Sequence, residues 1–158
     1  MSSDRSESVR EQMLQRAAGY LTKRMYSASE IRKKLLDKGA DEETADYCVN
    51  RLTELRLIDD ESYAAAIIRH YTAKGYGKGR IKGELFKRGL NRDIVSLSME
   101  EAPDEDADSV YGLIMRRVKD PHDPEQIRKA ASAMYRRGFS SEVINSAVRR
   151  IGDEAEAY

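Results

Sequence analysis

The sequence is short of several things at once, and each shortage closes an option. It holds one cysteine, Cys48, so no disulfide can form within the chain, and a reducing compartment is the natural expectation. There is no tryptophan, and aromatic residues make up only 7% of the chain. Strand-building runs of Val, Ile, Thr and Tyr are missing as well, which leaves helix as the default. No stretch approaches the roughly 18 apolar residues that span a bilayer. The opening Met-Ser-Ser-Asp-Arg-Ser-Glu lacks the apolar centre of a secretory signal, so the expectation is a cytoplasmic protein with no membrane contact. His70 and His122 lie far apart and far from Cys48, a spacing unsuited to zinc; no metal and no cofactor are expected. Cys48, on an apolar helix face, reads as a small core residue rather than a nucleophile.

What the chain has instead is charge, at 35% of residues, and ten glycines. Three of the glycines carry the organisation. Gly39, Gly89 and Gly138 are spaced 50 and 49 residues apart, and each follows a base, Lys38, Arg88 or Arg137, at the end of a helical pattern. Each therefore reads as a helix C-cap. Eight, four and three residues before each glycine stand Ile31, Leu35 and Leu36; Ile81, Leu85 and Phe86; Ala130, Met134 and Tyr135. That is one helix face, written three times.

Two residues after each glycine comes Asp41, Asn91 or Ser140, all good N-caps for a following helix. Its inward positions are Thr44, Ala45, Cys48 and Val49; Ile94, Val95, Ser98 and Met99; Val143, Ile144, Ala147 and Val148. One more amphipathic helix precedes each unit, with Leu14, Ala17, Ala18, Leu21 and Met25 in the first, Ala64, Ile67, Ile68 and Tyr71 in the second, and Ala107, Val110, Tyr111, Ile114 and Val118 in the third. Ser27 with Glu30 has the form of a capping box, and Asp123-Pro124 with Gln126 sets an N-cap, an N1 proline and a reciprocal acceptor in order. The fold expected is all-α: three tandem three-helix repeats, residues 1–58, 59–102 and 103–158 with an acidic tail. One such unit buries too little to stand alone, so the repeats are expected to stack into an elongated, curved right-handed array.

The formal net charge is zero, but a sum hides segregation. Between Arg69 and Arg92 eight bases face one acid, Glu84; Lys23–Lys38 and Arg116–Arg137 are also rich in bases, whereas Glu100–Asp108 is acidic. Every repeat thus has a basic second helix. Basic ends such as Lys38, Arg88 and Arg137 also suit a helix dipole, but dipoles give no reason for bases to gather on equivalent helices of all three repeats. A phosphate backbone or an acidic protein groove does. In Lys74-Gly75-Tyr76-Gly77-Lys78-Gly79-Arg80, alternate glycines free the backbone for close approach, and Tyr76 offers a stacking face; a plain flexible connector is the competing reading. A dinucleotide loop would need a preceding strand, and a phosphate loop would need Ser or Thr after Lys78. Asp59 and Asp60, which could suggest metal-assisted phosphoryl chemistry, sit where acids cap the next helix.

Residues 52–64, Leu-Thr-Glu-Leu-Arg-Leu-Ile-Asp-Asp-Glu-Ser-Tyr-Ala, with the glycine-rich loop, Ile81, Glu84-Leu85 and Lys87-Arg88-Gly89, resemble the RecX family of recombination regulators. So do Tyr20-Leu21, Arg24, Ser27, Glu30, Ile31, Leu35 and Lys38-Gly39 in the first repeat, and Arg137-Gly138-Phe139 with Glu142 and Ile144 in the third. The resemblance implies a protein of three tandem three-helix repeats that lies in the groove of the RecA recombinase filament on single-stranded DNA and restrains its ATPase and strand exchange; from the residues themselves, a monomer that is not an enzyme is expected. Some members also bind DNA directly, single-stranded or double-stranded. One departure is Arg56, where the family carries glycine in the turn before Ile58.

On this reading the partner-binding or DNA-binding residues are Arg24, Lys33, Lys34, Arg69, Lys74, Tyr76, Lys78, Arg80, Lys82, Lys87, Arg88, Arg116, Arg117, Arg136 and Arg137. They are expected to line one concave surface, with Asp59, Asp60 and Tyr63 acting as joints between repeats. The competing reading is a direct DNA binder of tandem helix-turn-helix type. Against it, the third helix of repeat one opens on Asp41, Glu42 and Glu43, which phosphates repel. A helical nuclease has little support in the residues.

Overall fold

The computed structural model describes residues 2–157. Among them are nine helices and no strand: α1 (Ser2–Lys23), α2 (Ala28–Asp37), α3 (Glu42–Glu54), α4 (Asp60–Ala73), α5 (Lys78–Lys87), α6 (Arg92–Glu101), α7 (Ala107–Arg117), α8 (Pro124–Arg136) and α9 (Ser141–Glu156). No helix among the described residues is long and apolar enough to cross a membrane.

The triplication is written in hydrogen bonds. Gly39, Gly89 and Gly138 have φ of +98°, +79° and +94°, the left-handed region where a side chain would be strained. Each N–H donates to the carbonyl three residues back, Leu36, Phe86 or Tyr135. The next residue's N–H donates five back, from Ala40 to Leu35, Leu90 to Leu85 and Phe139 to Met134. This is the Schellman pair that satisfies the last free carbonyls of a helix. The following helices are capped as the residue types dictate. Asp41 accepts from the Thr44 N–H, Asn91 from Ile94 and Ser140 from Val143.

The chain divides into two compact units. The first comprises residues up to Ala66 and Leu85–Ser98; the second comprises Ile67–Glu84 and the residues from Met99 onward. The middle repeat is thus shared between them. In the first unit, α1, α2 and α3 enclose Ala17, Ile31, Leu35, Ala45, Cys48 and Leu52. In the second, α7, α8 and α9 enclose Val110, Ile114, Ala130, Met134, Ile144, Ala147 and Ile151. Ile31, Leu35, Ala45, Cys48 and Leu52 correspond by offset to Ala130, Met134, Ile144, Ala147 and Ile151, so one packing pattern is filled twice with different side chains. Burying a Leu or Ile in this way stabilises by about 1.5–3 kcal/mol.

Three expectations need correction. Phe86 and Tyr135 are each 46% exposed; three residues before the glycine is the edge of the apolar stripe, not its centre. Met25 falls beyond the end of α1 and is exposed, because the chain has already turned toward the Ser27 cap. Gln126 does not return to its own N-cap N–H: its Oε1 accepts from the N–H groups of Lys119 and Asp120, and its Nε2 donates to Asp123. The Ser27–Glu30 box does form in full, with Glu30 N–H donating to Ser27 Oγ and Ser27 N–H to Glu30 Oε1, both at 3.0 Å.

Candidate functional site

The basic residues fall into two kinds, those turned into the fold and those left on its surface. The first kind clusters where one repeat meets the next. Within the first unit, the start of α2 sits against the end of α5. Ser27, fully buried, donates its hydroxyl proton to the Arg88 carbonyl at 2.6 Å. A Cβ on Gly89 would come within 2.6 Å of Ser29 Oγ. The Ala28 N–H donates to Asp60 Oδ1 at 2.9 Å, so the first residue of α4 caps a free N–H of α2. Tyr63 is buried, and its hydroxyl oxygen accepts from Arg88 at 2.8 Å and from Arg24 at 3.1 Å. Burial pushes the Tyr63 phenol up, opposed by the Arg88 guanidinium beside it. Burial likewise raises the Asp60 carboxyl, against the pull of the Ala28 N–H. Asp59 is held below the usual carboxylate range by the backbone and hydroxyl of Ser62. The two acids cap and join, as their positions suggested.

Within the second unit, the same joint recurs fifty residues on. Gly77 N–H donates to the Arg137 carbonyl at 2.8 Å and Gly79 N–H to that of Gly138 at 3.0 Å. Lys78 N–H donates to Glu105 Oε1, and the other oxygen of that carboxylate accepts from Ser140 N–H. The glycines of the loop permit a close backbone approach to the third repeat of the same chain. A Cβ on Gly77 would lie 2.4 Å from the Phe139 nitrogen. Tyr76 is half-buried: its ring packs edge-on to Tyr71 and lies under the guanidinium groups of Arg80 and Arg137, at 5.4 and 5.1 Å. Arg137 also donates to the carbonyls of Lys74 and Gly75. Sequence reasoning missed Glu105, which looked like one more member of an acidic run.

Surface bases form two grooves, one per unit. In the first unit Lys33 and Lys34 of α2 meet Lys87 and Arg88 around a cavity of about 370 Å³, whose lining also includes Glu30 and Asp37. Lys34 Nζ lies 5.0 Å from the centre of the Tyr20 ring and 5.2 Å from that of Tyr26, which fixes its direction. Arg24 is spent locally, over the Tyr26 ring at 4.0 Å and paired with Glu30 at 3.3 Å. In the second unit Arg117 of α7 and Arg136 of α8 converge on a cavity of about 420 Å³ together with Arg128 and Lys129. Those last two were not singled out in the sequence, although their i, i+8 and i, i+7 spacing from Arg136 offered the signal. Lys78 pairs with Asp104 at 3.6 Å and Arg80 with Glu84 at 3.6 Å. Arg69, Lys74, Lys82 and Arg116 are exposed, and their side chains form no ion pair among the described residues.

Comparison with known proteins agrees with this architecture. Three family models match in order: RecX, first three-helix domain, at residues 14–52; second three-helix domain at 59–98; third three-helix domain at 105–148. Among curated proteins, "Regulatory protein RecX" of Xanthomonas axonopodis pv. citri is 36% identical over 138 residues, covering 86% of this chain and 85% of the relative. "Regulatory protein RecX" of Stenotrophomonas maltophilia is 33% identical over 143 residues, covering 89% and 88%. A crystal structure of RecX from Lactobacillus salivarius superposes with a TM-score of 0.84 at 21% identity, over 92% of this chain and 98% of that one. A second, described as regulatory protein RecX, gives 0.81 at 24% identity over 92% and 76%; at these identities both speak for the fold. With its glycine caps, its repeated joints and three consecutive domain matches, the chain belongs to the RecX family of regulatory proteins.

Proposed function

We propose that this protein binds the RecA recombinase filament on single-stranded DNA in the cytoplasm and restrains ATP hydrolysis and strand exchange by occupancy, without chemistry of its own. The observation that carries this reading is the mixed groove of the first unit. Its bases, Lys33, Lys34, Lys87 and Arg88, alternate with Glu30 and Asp37. A phosphate run is uniformly negative and would be repelled by those carboxylates, whereas a folded protein surface presents both signs and can match them. Lys33 and Lys87 are exposed and outside the joints, so they are the cleanest to change.

The experiment is RecA ATPase on single-stranded DNA with the full chain added. The expected result is inhibition that a Lys33→Glu, Lys87→Glu double variant weakens at least tenfold while helicity by circular dichroism is unchanged. Inhibition equal to that of the parent chain would remove this groove from the mechanism.

The groove of the second unit, with Arg117, Arg128, Lys129 and Arg136 and no acid in its lining, favours a second reading in which DNA is contacted directly. A binding constant that falls with salt at a log–log slope near −0.7 per phosphate contacted, without recombinase present, would support it. A shallow slope supports the protein partner.

A further inference from the structure

Helix α8 carries two parallel rows of side chains. Ile127, Ala131 and Tyr135 form one; Arg128, Ser132 and Arg136, with Lys129 beside them, form the other. An i, i+4, i+8 spacing sets each row along one flank of the helix. The first row, with Ile144 and Val148 of α9, walls an open cavity of about 630 Å³. The second lines the basic groove described above. Arg128 belongs to both linings, so the apolar and basic grooves share an edge. Arg128 is itself steadied by Glu125 at 2.7 Å, and Glu156 is the one acid in the apolar groove's lining.

The equivalent seam of the first repeat is built differently. There the position of Ala131 is taken by Arg32 and that of Asn145 by Asp46. Arg32 Nε meets Asp46 Oδ1 at 2.7 Å, and Glu42 stands a further 4.0 Å from the same guanidinium. That ion pair ties α2 to α3. In the third repeat alanine and asparagine stand at the two positions, no tie can form, and the seam opens onto apolar side chains. Tyr135, 46% exposed at its rim, is the kind of residue that anchors protein interfaces.

From these features we infer that the third repeat holds a docking groove for an acidic peptide segment with an aliphatic or aromatic anchor, supplied by a protein partner. Charge complementarity selects this occupant. An anchor seated between α8 and α9 leaves the flanking residues of its own segment beside Arg128, Lys129 and Arg136, where carboxylates are attracted and ammonium groups repelled. A purely apolar ligand ignores the second row, and a nucleic acid backbone ignores the first. The inference is independent of the filament reading, because its readout is peptide binding and not recombinase inhibition.

The test is selection from a random 12-residue peptide library displayed on phage against the full chain. The counter-target is an Ala131→Arg, Asn145→Asp variant, which installs the pair that the first repeat already accommodates. The thermal unfolding of both chains is compared first. The expected outcome is enrichment of peptides that combine Glu or Asp with Leu, Phe or Trp. Their affinity should fall at least tenfold on the paired variant and at least tenfold on Tyr135→Ala. In amide NMR spectra, the shifts should map to residues 127–135 and 144–152. Enriched peptides without acids, affinity indifferent to the paired variant, or the same shifts produced by a single-stranded oligonucleotide each overturn the inference. So does sedimentation showing a dimer that the paired variant dissociates, since the groove then belongs to a second copy of this chain.

Discussion

The two joints perform one task with different chemistry. At the first, a buried serine hydroxyl reaches the Arg88 carbonyl, and the same oxygen caps α2. At the second, side chains have been removed: the bare N–H groups of Gly77 and Gly79 reach the carbonyls of Arg137 and Gly138 directly. In both, the start of one second helix, rich in free donors, meets the end of the next, rich in free acceptors. In both, a carboxylate from the following repeat, Asp60 or Glu105, takes the N–H between them. The lesson is that a hydroxyl and a missing side chain are interchangeable ways to complete a helix terminus. The hydroxyl way is specified by one atom, whereas the glycine way is specified by the space it leaves.

The largest expected effect follows from that space. Gly138→Ala places a Cβ within 2.3 Å of the Arg80 nitrogen at a φ of +94°. Left-handed strain and overpacking together should cost about 3 kcal/mol, seen as a drop in midpoint in denaturant melts; a loss under 1 kcal/mol would mean the second joint is loose. Ser27→Ala should cost about 2 kcal/mol, since it removes a cap and leaves the Arg88 carbonyl without its hydroxyl donor. A ratio of the two losses near one would contradict the contrast drawn between hydroxyl and glycine.

The acids at the first joint sharpen the comparison through pH. Asp59 is lowered in the folded chain, so its contribution is present above the unfolded aspartate range and disappears as pH falls through its folded value. Asp59→Ala should cost about 1 kcal/mol at neutral pH and progressively less in acid. Asp60 is raised, so its contribution has the opposite sign, present below the unfolded range and lost as pH climbs through the folded value. Asp60→Asn keeps an acceptor for Ala28 and should flatten that part of the stability profile with no loss at pH 7. Parallel pH profiles for the two variants would refute the assignment. The smallest effect lies outside both joints. Arg56 has a φ of 61°, and Arg56→Gly should stabilise by about 0.5–1 kcal/mol, relief of strain exceeding the added freedom of the unfolded chain.

The helices and caps were legible because they rest on contacts within four or five residues. A glycine followed two places later by Asp, Asn or Ser carries both the stop and the start. Arg56 was marked through the resemblance alone, as a side chain where the family turn uses glycine; its positive φ is seen only in the structure. The joints were legible only in part. Asp60 and Tyr63 announced themselves near a boundary, but Arg88 and Arg137 looked like free cations, because Tyr63 lies 25 residues from the one and the Lys74 and Gly75 carbonyls 63 and 62 residues from the other. Gly77 and Gly79 showed that something must come close, and nothing local said what. The surface bases were legible as a set but not as grooves. Lys33 and Lys87 share no periodicity, and Arg128 and Lys129 belong to the basic stretch Arg116–Arg137 but carry no local mark that sets them apart within it.

Cys48 gives the first bundle a property its counterpart lacks. The thiol is fully enclosed and its ionisation is suppressed by burial, while the corresponding place in the third repeat is Ala147. A thiol-specific reagent can reach it only in moments when α1, α2 and α3 part. The rate of labelling on the native chain is therefore a clock for the opening of one bundle, with the other silent by composition.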